Sequence, residues 1–414
     1  MKVGATPVSD GRRQTDVGVI PNDWAVKRLR DISPSQSVGL VINPSTYYDT
    51  SGTVPFFVGS NIGENVIYWE SASKITEASN DLLAASRLRA GDLVTVRVGD
   101  PGVTAVVPPE LDGSNCASMM IIRKHSSFNS HWLCWLMNSR HGRAQVEGVQ
   151  YGTAQKQFNI SDAINFQYPI PPLSEQVAIA EALGDADAFI GSLEQLLTKK
   201  RGIKRGAMQE LLTSKRRLPG FVKKWETKPL GELGTFFSGG TPNTAVSEYY
   251  GGTIPWINSS DCNAGRISCV PGRITSAGMA NSATKWVKAG TLLIALYGAT
   301  AGVVAISEID AAINQAVLAI IPDRDNSEFL FQKLGMMKEW IISTYTQGGQ
   351  PNLSGTIVKA IEITLPEPHE QAAIAAVLSD MDAEIAALEE KLTKARQIKR
   401  GMMQELLTGR IRLV

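Results

Sequence analysis

The chain has 414 residues, of which 43% are hydrophobic and 20% charged, and its 41 basic residues nearly balance 40 acidic ones. This length is too great for one ordinary hydrophobic core, so we expect two or more domains. The formal net charge of +1 excludes a global basic field, and any contact with nucleic acid must use local patches. No apolar run reaches the roughly 18 residues of a membrane span. The first residues lack the apolar core of a signal peptide, so we expect a cytoplasmic protein that does not contact a membrane.

The first part of the chain predicts a domain of mixed strands and helices. Runs of β-type residues bounded by Gly and Pro predict strands at 54–58, 92–98, 103–107, 117–122 and 163–170. A single helix is predicted from Ser130 to about Gln145, followed by a loop rich in Gly, Gln and Asn at 151–159. Strands and helices mixed in this way are typical of an α+β domain.

A second region, 219–364, repeats the order of the first with weaker identity. The matched positions include Trp24 and Trp225, Leu29 and Leu230, Thr53 and Thr253, Gly91 and Gly290, and Asn159-Ile-Ser and Asn352-Leu-Ser. The segments between the matched positions differ, for example 61–79 against 261–278. This pattern predicts one scaffold that carries two different surfaces.

Each region is followed by a copy of the same long segment. Residues 175–213 and 370–408 align without a gap at an offset of 195, and roughly two thirds of the positions are identical. An apolar period of 3.5 residues over about four heptads predicts a coiled coil. Ser174 is the predicted N-cap of the first helix, and His369 takes that place in the second. The predicted interface residues are Leu183, Ile190, Leu197, Lys204, Leu211, Leu378, Ile385, Leu392, Lys399 and Leu406.

The charges along the two copies favour antiparallel pairing. The front half of each copy is acidic and the back half is basic, so antiparallel packing places acid beside base at both ends. Lys204 and Lys399 interrupt the apolar seam at equivalent positions, where they either define the pairing register or mark a docking place for a partner. Apolar residues off the seam favour a docked partner protein over a purely solvated hairpin: Ile203, Met208, Leu212, Ile398, Met403 and Leu407.

No catalytic or metal-binding motif is found. The dipeptide Gly-Lys of a phosphate-binding loop never occurs, and neither HExxH nor GxSxG is present. None of the four cysteines forms CxxC, and no histidine pair accompanies them at zinc spacing. A repeated chain without such a constellation indicates a binding or scaffolding protein, and an autonomous enzyme is disfavoured.

Together these features resemble the specificity subunit of type I restriction–modification systems, often called HsdS. The resemblance covers essentially the whole chain and rests on two copies of EQxAI…IKRG[AM]MQELLT, the W-x4-L entry to each region, the T[VI]P[FW] strand and the polar loop before each long helix. It implies an α+β fold with a pseudo-twofold internal repeat, in which two similar α/β target recognition domains are separated by two long antiparallel coiled-coil helices. The implied domains are 1–170 and 217–364, and the implied helices are 171–216 and 365–414. The N- and C-terminal elements should then meet.

The resemblance also implies a function and a set of partners. Each domain would read one half of a bipartite, asymmetric site in double-stranded DNA, and two methyltransferase subunits would bind the helices and methylate adenine. Restriction/translocase subunits would join that complex. S-adenosylmethionine, ATP and Mg are expected on the partner subunits, and no cofactor, metal or catalytic residue is expected in this chain. The alternative is a scaffold or decoy that binds methyltransferase subunits without reading DNA.

Candidate DNA contacts come from residue chemistry alone. Base edges are contacted by Arg, Lys, Asn, Gln, Ser and Thr, and phosphates by Arg, Lys and backbone amides. An ordinary role in a solvated loop remains open for each candidate, and residues that read sequence should lie where the two domains differ. The candidates are Ser60, Asn61, Arg97, Gln155, Lys156 and Gln157 in the first domain, and Asn258, Ser259, Ser260, Tyr297, Gln347, Gln350 and Asn352 in the second.

Overall fold

The structure, a computed structural model, describes residues 7–8, 11–153, 155–345 and 352–413. The chain divides into two compact units: unit 1 is Met1–Leu193 with Lys391–Val414, and unit 2 is Glu194–Glu390. Each unit contains one domain of mixed strands and helices together with half of each long helix. The two-domain α+β fold that the sequence predicts is therefore confirmed.

In unit 1 the globular domain is built from short strands and short helices. Its strands are β1 (Pro7–Val8), β2 (Arg12–Thr15), β3 (Gly18–Pro21), β4 (Ala25–Arg28), β5 (Gln36–Val38), β6 (Val54–Phe57), β7 (Ile62–Gly63), β8 (Val66–Ile67), β9 (Ser73–Ile75), β10 (Leu93–Val96), β11 (Thr104–Val106), β12 (Asn115–Cys116), β13 (Met119–Ile122) and β14 (Gln167–Ile170). Its helices are α1 (Leu29–Ile32), α2 (Glu77–Leu82), α3 (Ser130–Asn138), α4 (Arg140–Val149) and α5 (Ile160–Ala163). The first long helix, α6, runs from Leu173 to Leu211 and continues into unit 2.

The domain of unit 2 has the same kinds of element in the same order. Its strands are β15 (Glu226–Pro229), β16 (Gly234–Ser238), β17 (Tyr250–Ile257), β18 (Arg266–Ile267), β19 (Arg273–Ile274), β20 (Lys285–Val287), β21 (Leu292–Ala295), β22 (Val304–Ser307), β23 (Ala311–Ile313), β24 (Val317–Pro322) and β25 (Glu362–Leu365). Its helices are α7 (Ser276–Ala280), α8 (Ser327–Tyr345) and α9 (Gly355–Ala360). The second long helix, α10, is Pro368–Leu406.

The sheets show that the two domains share a framework. In unit 1 the main sheet has the order β11-β10-β13-β5, and in unit 2 the corresponding order is β22-β21-β24-β16, all antiparallel. A second sheet joins β6 to β12 in parallel and to β9 antiparallel, as β17 joins β23 and β19. Strand β4 pairs antiparallel with β14, and β15 pairs in the same way with β25. The internal repeat is therefore present in the fold as well as in the sequence.

The units differ in the segment that connects two paired strands of the second sheet, β6 and β9 in unit 1 and β17 and β19 in unit 2. In unit 1 the chain forms the β7–β8 hairpin, whereas in unit 2 it adds β18 in parallel to the edge strand β22. Both segments follow a 3-10 turn, Gly59–Asn61 in unit 1 and Ser259–Ala264 in unit 2. The sequence predicts a difference at this place, and the structure shows it to be a change of backbone path.

The prediction of a single helix from Ser130 to about Gln145 is wrong, because two helices, α3 and α4, cover this range. The helix breaks at Ser139, whose hydroxyl accepts a hydrogen bond from the backbone N–H of Gly142 at 3.3 Å and so caps α4. A Cβ on Gly142 would lie 2.2 Å from the carbonyl oxygen of Met137, so the turn between the helices requires glycine. The strand predicted near 163–170 is also shorter, because α5 ends at Ala163 and a turn separates it from β14, which begins at Gln167.

The predicted N-cap role of Ser174 is wrong as well. Helix α6 already includes Leu173, and α10 begins at Pro368, so Ser174 and His369 both lie inside their first turns. Proline is favourable at the start of a helix, since the first N–H groups have no intrahelical acceptor. The side chain of Gln176 connects this end to the domain: its Oε1 accepts from the N–H of Asn129 at 2.9 Å, and its Nε2 donates to Pro171 at 3.0 Å.

The alignment of Asn159 with Asn352 is displaced by two residues. Asn159 precedes α5, and the residue that precedes α9 is Ser354, whose hydroxyl accepts from the N–H of Ile357 at 3.1 Å. The isolated β-bridge of Gln157 with Val98 corresponds to that of Asn352 with Tyr297. Asn352 is thus the counterpart of Gln157, because the backbone pairing and not the shared Asn-x-Ser letters defines the equivalence.

Burial along the long helices follows the heptad pattern. Seven of the eight apolar residues of the predicted interface are buried, and the remaining one, Ile385, is half-buried. In unit 1 the core cluster contains Leu183 of α6 together with Leu406 of α10. In unit 2 it contains Leu211 of α6 together with Leu378 of α10. Within each unit the start of one helix therefore packs beside the end of the other, which is the predicted antiparallel pairing.

The apolar residues off the seam do not form the predicted partner surface as a group. Leu212 and Leu407 are 0% and 2% exposed, because they enter the cores of units 2 and 1. Met208 and Met403 are half-buried against the same cores. Of the six residues, Ile203 and Ile398 alone are exposed, at 47% and 53%.

Candidate nucleic-acid interface

Three turns from distant parts of the chain meet in unit 1. The turn Gly59–Asn61 lies against the end of β10, since a Cβ on Gly59 would stand 3.1 Å from Val96 Cγ1 and 3.4 Å from the oxygen of Val98. The loop 151–157 joins the same place, because Gly99 donates its N–H to the oxygen of Lys156 at 3.0 Å. We name these segments, 59–61, 97–102 and the described residues 151–153 and 155–157, the unit 1 loop surface.

Most of the first-domain candidates display side chains on this surface. Ser60, Gln155 and Lys156 are exposed, whereas Gln157 and Arg97 are half-buried. The Nε of Arg97 donates to the oxygen of Phe158 at 3.4 Å. Hydroxyl, amide and cationic groups are thus gathered in one place, and these are the groups that contact base edges and phosphates.

Asn61 was predicted to contact DNA, but the structure buries its side chain. It is 5% exposed. Its Oδ1 accepts from the N–H of Val58 at 3.0 Å, and its Nδ2 donates to the oxygen of Tyr68 and to Ser71 Oγ, both at 3.3 Å. The amide is consumed by hydrogen bonds that hold the turn, so Asn61 positions the surface and does not present a group to DNA.

In unit 2 the equivalent turns also meet. The turn Ser259–Ala264 contacts the turn Gly298–Thr300, and the backbone of Tyr297 pairs with that of Asn352. Tyr297 is 41% exposed, Ser260 and Asn352 are exposed, and Ser259 is half-buried. These segments form the unit 2 loop surface. The candidates Gln347 and Gln350 lie outside the described residues.

Asn258 was also predicted to contact DNA, but its side chain is engaged within unit 2. Its Oδ1 accepts from Asn314 Nδ2 at 3.0 Å, and its Nδ2 points to the oxygen of Trp256 at 3.5 Å. Its backbone N–H donates to Asp261 Oδ2 at 2.7 Å, as that of Val58 does to the side chain of Asn61 in unit 1. The side chain of Asn258 therefore connects two turns, and a single sequence does not separate such a residue from an exposed amide.

Each loop surface contains a turn with two glycines at positive φ, 99–102 in unit 1 and 298–302 in unit 2, which we call the glycine turn. A basic side chain stands beside each glycine turn, and neither is among the sequence candidates. In unit 1 it is Arg143 of α4, which donates to the oxygen of Pro101 at 3.0 Å and to Asp100 Oδ1 at 2.6 Å. Arg143 and Lys156 line a cavity of about 480 Å³. In unit 2 it is Lys338 of α8, whose Cγ lies 3.5 Å from the position of a Cβ on Gly302. The offset of 195 relates Arg143 to Lys338 and could have identified both.

The described residues hold no cluster of metal-binding side chains, and three of the four cysteines are buried. Across the described ranges, no group of three or more His, Cys, Asp or Glu could hold a metal ion. Burial raises the pKa of the Cys116 and Cys262 thiols to about 12, so both stay protonated at neutral pH. Burial also raises the pKa of Cys134. Within the described part of the chain, no helix is long and apolar enough to cross a membrane.

Two equivalent ion pairs interrupt the apolar seam of the long helices. Lys204 of α6 contacts Asp382 of α10 in unit 2, and Lys399 of α10 contacts Asp187 of α6 in unit 1. All four side chains are 18–37% exposed. Their domains support them differently: Gln332 Nε2 donates to Asp382 Oδ2 at 3.0 Å, whereas Lys399 Nζ stands 4.6 Å from the ring centre of Trp135. We call these two ion pairs the seam pairs.

A second set of equivalent ion pairs joins the start of each long helix to the chain beyond the end of the other. Glu175, whose side chain is fully buried, accepts from Arg412 Nε at 2.5 Å and Nη2 at 2.8 Å. In unit 2 Glu370 accepts from Arg217 Nε at 2.5 Å and Nη2 at 2.6 Å. We call these two ion pairs the end clamps.

The end clamps differ in their indole partners. Trp24 Nε1 donates to Glu175 Oε2 at 3.0 Å, whereas the buried Nε1 of Trp225 has no hydrogen-bond partner among the described residues. Arg412 also reaches Asp23 at 2.8 Å. Hydrogen bonds to Glu175 and Asp23 raise the pKa of the Arg412 guanidinium, and the same contact lowers the pKa of the Asp23 carboxyl. The elements near the two termini therefore meet in unit 1, as the sequence predicts.

Comparison with known proteins agrees with this architecture. The family model described as Type I restriction modification DNA specificity domain matches twice, at residues 21–200 and 222–399. A protein of Methanocaldococcus jannaschii assigned as the MjaX type I restriction enzyme specificity subunit is 26% identical, over 97% of this chain and 96% of its own length. The EcoR124I/EcoR124II specificity subunit of Escherichia coli is 25% identical, over 42% of this chain and 45% of its own length.

Solved structures share the fold. The crystal structure of the S subunit of a type I restriction-modification system from M. genitalium covers 92% of this chain and 96% of its own, with a TM-score of 0.61 and 15% identity. A chain from a structural study of complex assembly and conformational transition of the type I R-M system covers 95% and 99%, with a TM-score of 0.57 and 20% identity. With the two family matches spanning most of its length, the chain belongs to the type I restriction–modification DNA specificity family.

Proposed function

We propose that the chain reads a bipartite, asymmetric DNA site, with one half-site bound at the loop surface of each unit. The observation that carries this proposal is the pair of loop surfaces, which stand on one framework and display different side chains. Equivalent frameworks present the two surfaces in the same way, while different side chains select different sequences. As a specificity subunit, the chain is a non-catalytic component of its complex.

The proposed recognition divides into positioning and reading. Arg143 and Lys338 contact phosphates beside the glycine turns, since a cation at an equivalent place in both units carries no sequence information. Ser60 and Ser260, which are identical at equivalent places, belong to the same phosphate-contacting set. Gln155 and Gln157 contact base edges in one half-site, and Tyr297 and Asn352 do so in the other. Each well-formed bidentate contact would discriminate by about 1–3 kcal/mol between base pairs.

The paired helices act as the spacer and the scaffold. Each helix has 39 residues and is on the order of 60 Å long at 1.5 Å per residue. Two methyltransferase subunits bind the spacer and methylate adenine in each half-site, and restriction/translocase subunits join the same cytoplasmic complex. S-adenosylmethionine, ATP and Mg are held by those subunits, so this chain supplies recognition and geometry.

A methylation assay tests the proposal. The chain is combined with its cognate methyltransferase subunits, and the product DNA is analysed by modified-base sequencing. A split site that carries N6-methyladenine in both halves is expected. Replacing residues 219–364 with another recognition domain should change one half-site and leave the other unchanged. Methylation that stays the same after this replacement would refute the proposal, and an assembled complex that binds no genomic fragment in a gel shift would favour a scaffold or decoy.

A further inference from the structure

The segment in which the two units differ places three apolar side chains on the surface of unit 1. Val66, Tyr68 and Trp69 are 41%, 51% and 53% exposed, whereas Ile67 between them is 8% exposed. They lie at the end of the β7–β8 hairpin and in the turn that follows. Single exposed apolar residues are common on proteins, but a contiguous group indicates contact with a partner or ligand.

The backbone around this group is shaped to hold it. A Cβ on Gly63 would lie 2.8 Å from both Val66 Cγ1 and Tyr68 Oη, so the absence of a side chain at Gly63 makes room for both. Tyr68 donates its N–H to the oxygen of Asn61 at 2.8 Å. The turn continues with a hydrogen bond from the N–H of Ala72 to the oxygen of Trp69 at 3.1 Å. The group is therefore ordered by specific contacts.

The same contacts make the group an extension of the unit 1 loop surface. Asn61, which ends the turn Gly59–Asn61, is bonded to Tyr68 in both directions, because its Nδ2 also donates to the oxygen of Tyr68. Ser60 on that turn is exposed beside it. The apolar side chains thus adjoin the loop surface that we propose to contact DNA.

The corresponding segment of unit 2, the described residues between β17 and β19, exposes no large apolar side chain. Its strand β18 carries Arg266, and Ser268 and Cys269 follow it. Arg266 is engaged by Glu328 through two hydrogen bonds, at 2.9 and 2.7 Å. An apolar group is therefore a property of the unit 1 surface and not of the shared framework, which is what a sequence-selective element requires.

Among the groups that DNA exposes, one class is apolar enough to match this surface. Phosphates, sugars and most base edges are polar, but the C5-methyl group of thymine projects into the major groove and is contacted by apolar side chains. We propose that Val66, Tyr68 and Trp69 contact thymine C5-methyl groups in the half-site bound by unit 1. This inference rests on the proposed function, in which unit 1 reads DNA.

The experiment uses the complex assembled with the methyltransferase subunits and a mapped site. The half-site that persists after residues 219–364 are replaced belongs to unit 1. Each thymine of that half-site is replaced in turn by uracil, which removes one methyl group and keeps base pairing. Loss of a contacted methyl should weaken wild-type binding about fourfold. Trp69→Ala should weaken binding to the thymine duplex by at least about that factor and should no longer distinguish uracil from thymine.

Controls separate this reading from loss of structure. Trp69→Phe keeps an apolar ring and should retain the discrimination, and Val222→Ala, which changes a side chain that is 89% exposed in unit 2, should bind as the wild type does. Uracil in the other half-site should affect the wild type and Trp69→Ala equally. Unfolding temperatures of the variants should match that of the wild type.

Three results would overturn the inference alone, with the split site still methylated. The first is Trp69→Ala and Tyr68→Ala binding as tightly as the wild type. The second is a wild type that does not distinguish uracil from thymine at any position of the unit 1 half-site. The third is Trp69→Ala failing to assemble with methyltransferase subunits, which would assign the group to a protein contact. A complex that methylates no site at all would overturn the proposed function and this inference with it.

Discussion

Reversing one charge of a seam pair should destabilise the chain, and reversing both should restore it. Lys204 and Asp382 are 18% and 34% exposed, so the pair is partly shielded from water. In Lys204→Asp two carboxylates would face each other, and at about 4 Å with an effective dielectric constant of about 20 they repel by about 4 kcal/mol. Side-chain movement and water relieve part of this repulsion, so we expect the free energy of unfolding to fall by about 2–4 kcal/mol.

The doubly reversed variant, Lys204→Asp with Asp382→Lys, places opposite charges together again. Its stability should return to within about 1 kcal/mol of the wild type, because Gln332 can turn its amide oxygen toward a lysine. Urea unfolding of the four proteins, followed by far-UV circular dichroism, measures the coupling energy. A doubly reversed variant as unstable as Lys204→Asp would refute the argument, since the lost stability would then not come from the pair.

The other seam pair is a matched control within the same chain. Lys399→Asp should lose the ring contact with Trp135 as well as the ion pair, a further ~0.5–2 kcal/mol. Reversal of Asp187 to Lys should recover the ion pair but not the ring contact. The recovery in unit 1 is therefore expected to be less complete than in unit 2. Equal recovery at the two pairs would show that the contact with Trp135 has no energetic role.

Replacing both seam lysines, Lys204 and Lys399, with leucine tests whether they define the pairing register of the two long helices, and it is not a test of stability. Burial of each leucine contributes about 1.5–3 kcal/mol, which offsets the loss of a charged hydrogen bond worth about 1.5–3 kcal/mol. Stability should change little, while the polar constraint on register is lost. We expect altered assembly with methyltransferase subunits or altered spacing of the methylated half-sites. An unchanged complex with unchanged site spacing would count against the register role.

Three further outcomes follow from the end clamps and the repeat. Glu175→Gln should lower the free energy of unfolding by about 1–3 kcal/mol, because the charge-assisted hydrogen bonds to Arg412 are weakened while Arg412 keeps its ion pair with Asp23, and urea unfolding measures the change. A fragment of residues 1–217 should form an antiparallel homodimer, since it contains both halves of a seam pair and, with Arg217, of an end clamp; sedimentation that finds only monomer would contradict this. The pKa of Asp23 is lowered in the folded protein, so its carboxylate stabilises the fold at pH values above its ordinary pKa of 3.8. This stabilisation is lost as the pH falls through the lowered pKa. Asp23→Asn should remove this acid dependence, an effect under about 1 kcal/mol at a half-exposed site, in unfolding measured from pH 6 to 2.

Periodicity made the long helices predictable. An apolar residue every 3.5 positions forms a stripe of the width that a partner helix buries, so Leu183 and Leu378 could be placed in the interface without a structure. Opposite charges at the two ends of each copy then predicted the antiparallel direction. Local signals at the helix starts were less reliable. Ser174 has the chemistry of an N-cap, but the preceding proline and the Gln176 contacts to the domain decide where α6 begins.

Residue chemistry predicted which groups suit DNA contact but not which of them are free. Asn61 and Asn258 have the same side chain as Asn352, yet Asn61 is engaged by its own loop at Val58, Tyr68 and Ser71, and Asn258 by the distant Asn314. Arg143 shows the reverse case, since its helix is far in sequence from the glycine turn beside which it lies. Hydrogen-bond partners and exposure depend on distant segments, so a single sequence does not specify them.

By itself, the sequence determined the repeat, the two α+β domains, the coiled-coil seam and the family resemblance, because these depend on composition, spacing and period along the chain. Only the tertiary structure decided how turns from separate parts of the chain meet within each unit, how Lys204 and Lys399 find their acidic partners, and which apolar residues remain exposed. The sequence pattern predicted Leu212 and Leu407 as part of a docking surface, but both are core residues in the folded protein. The physical reason is that burial and pairing are properties of the folded neighbourhood, to which residues far apart in the chain contribute.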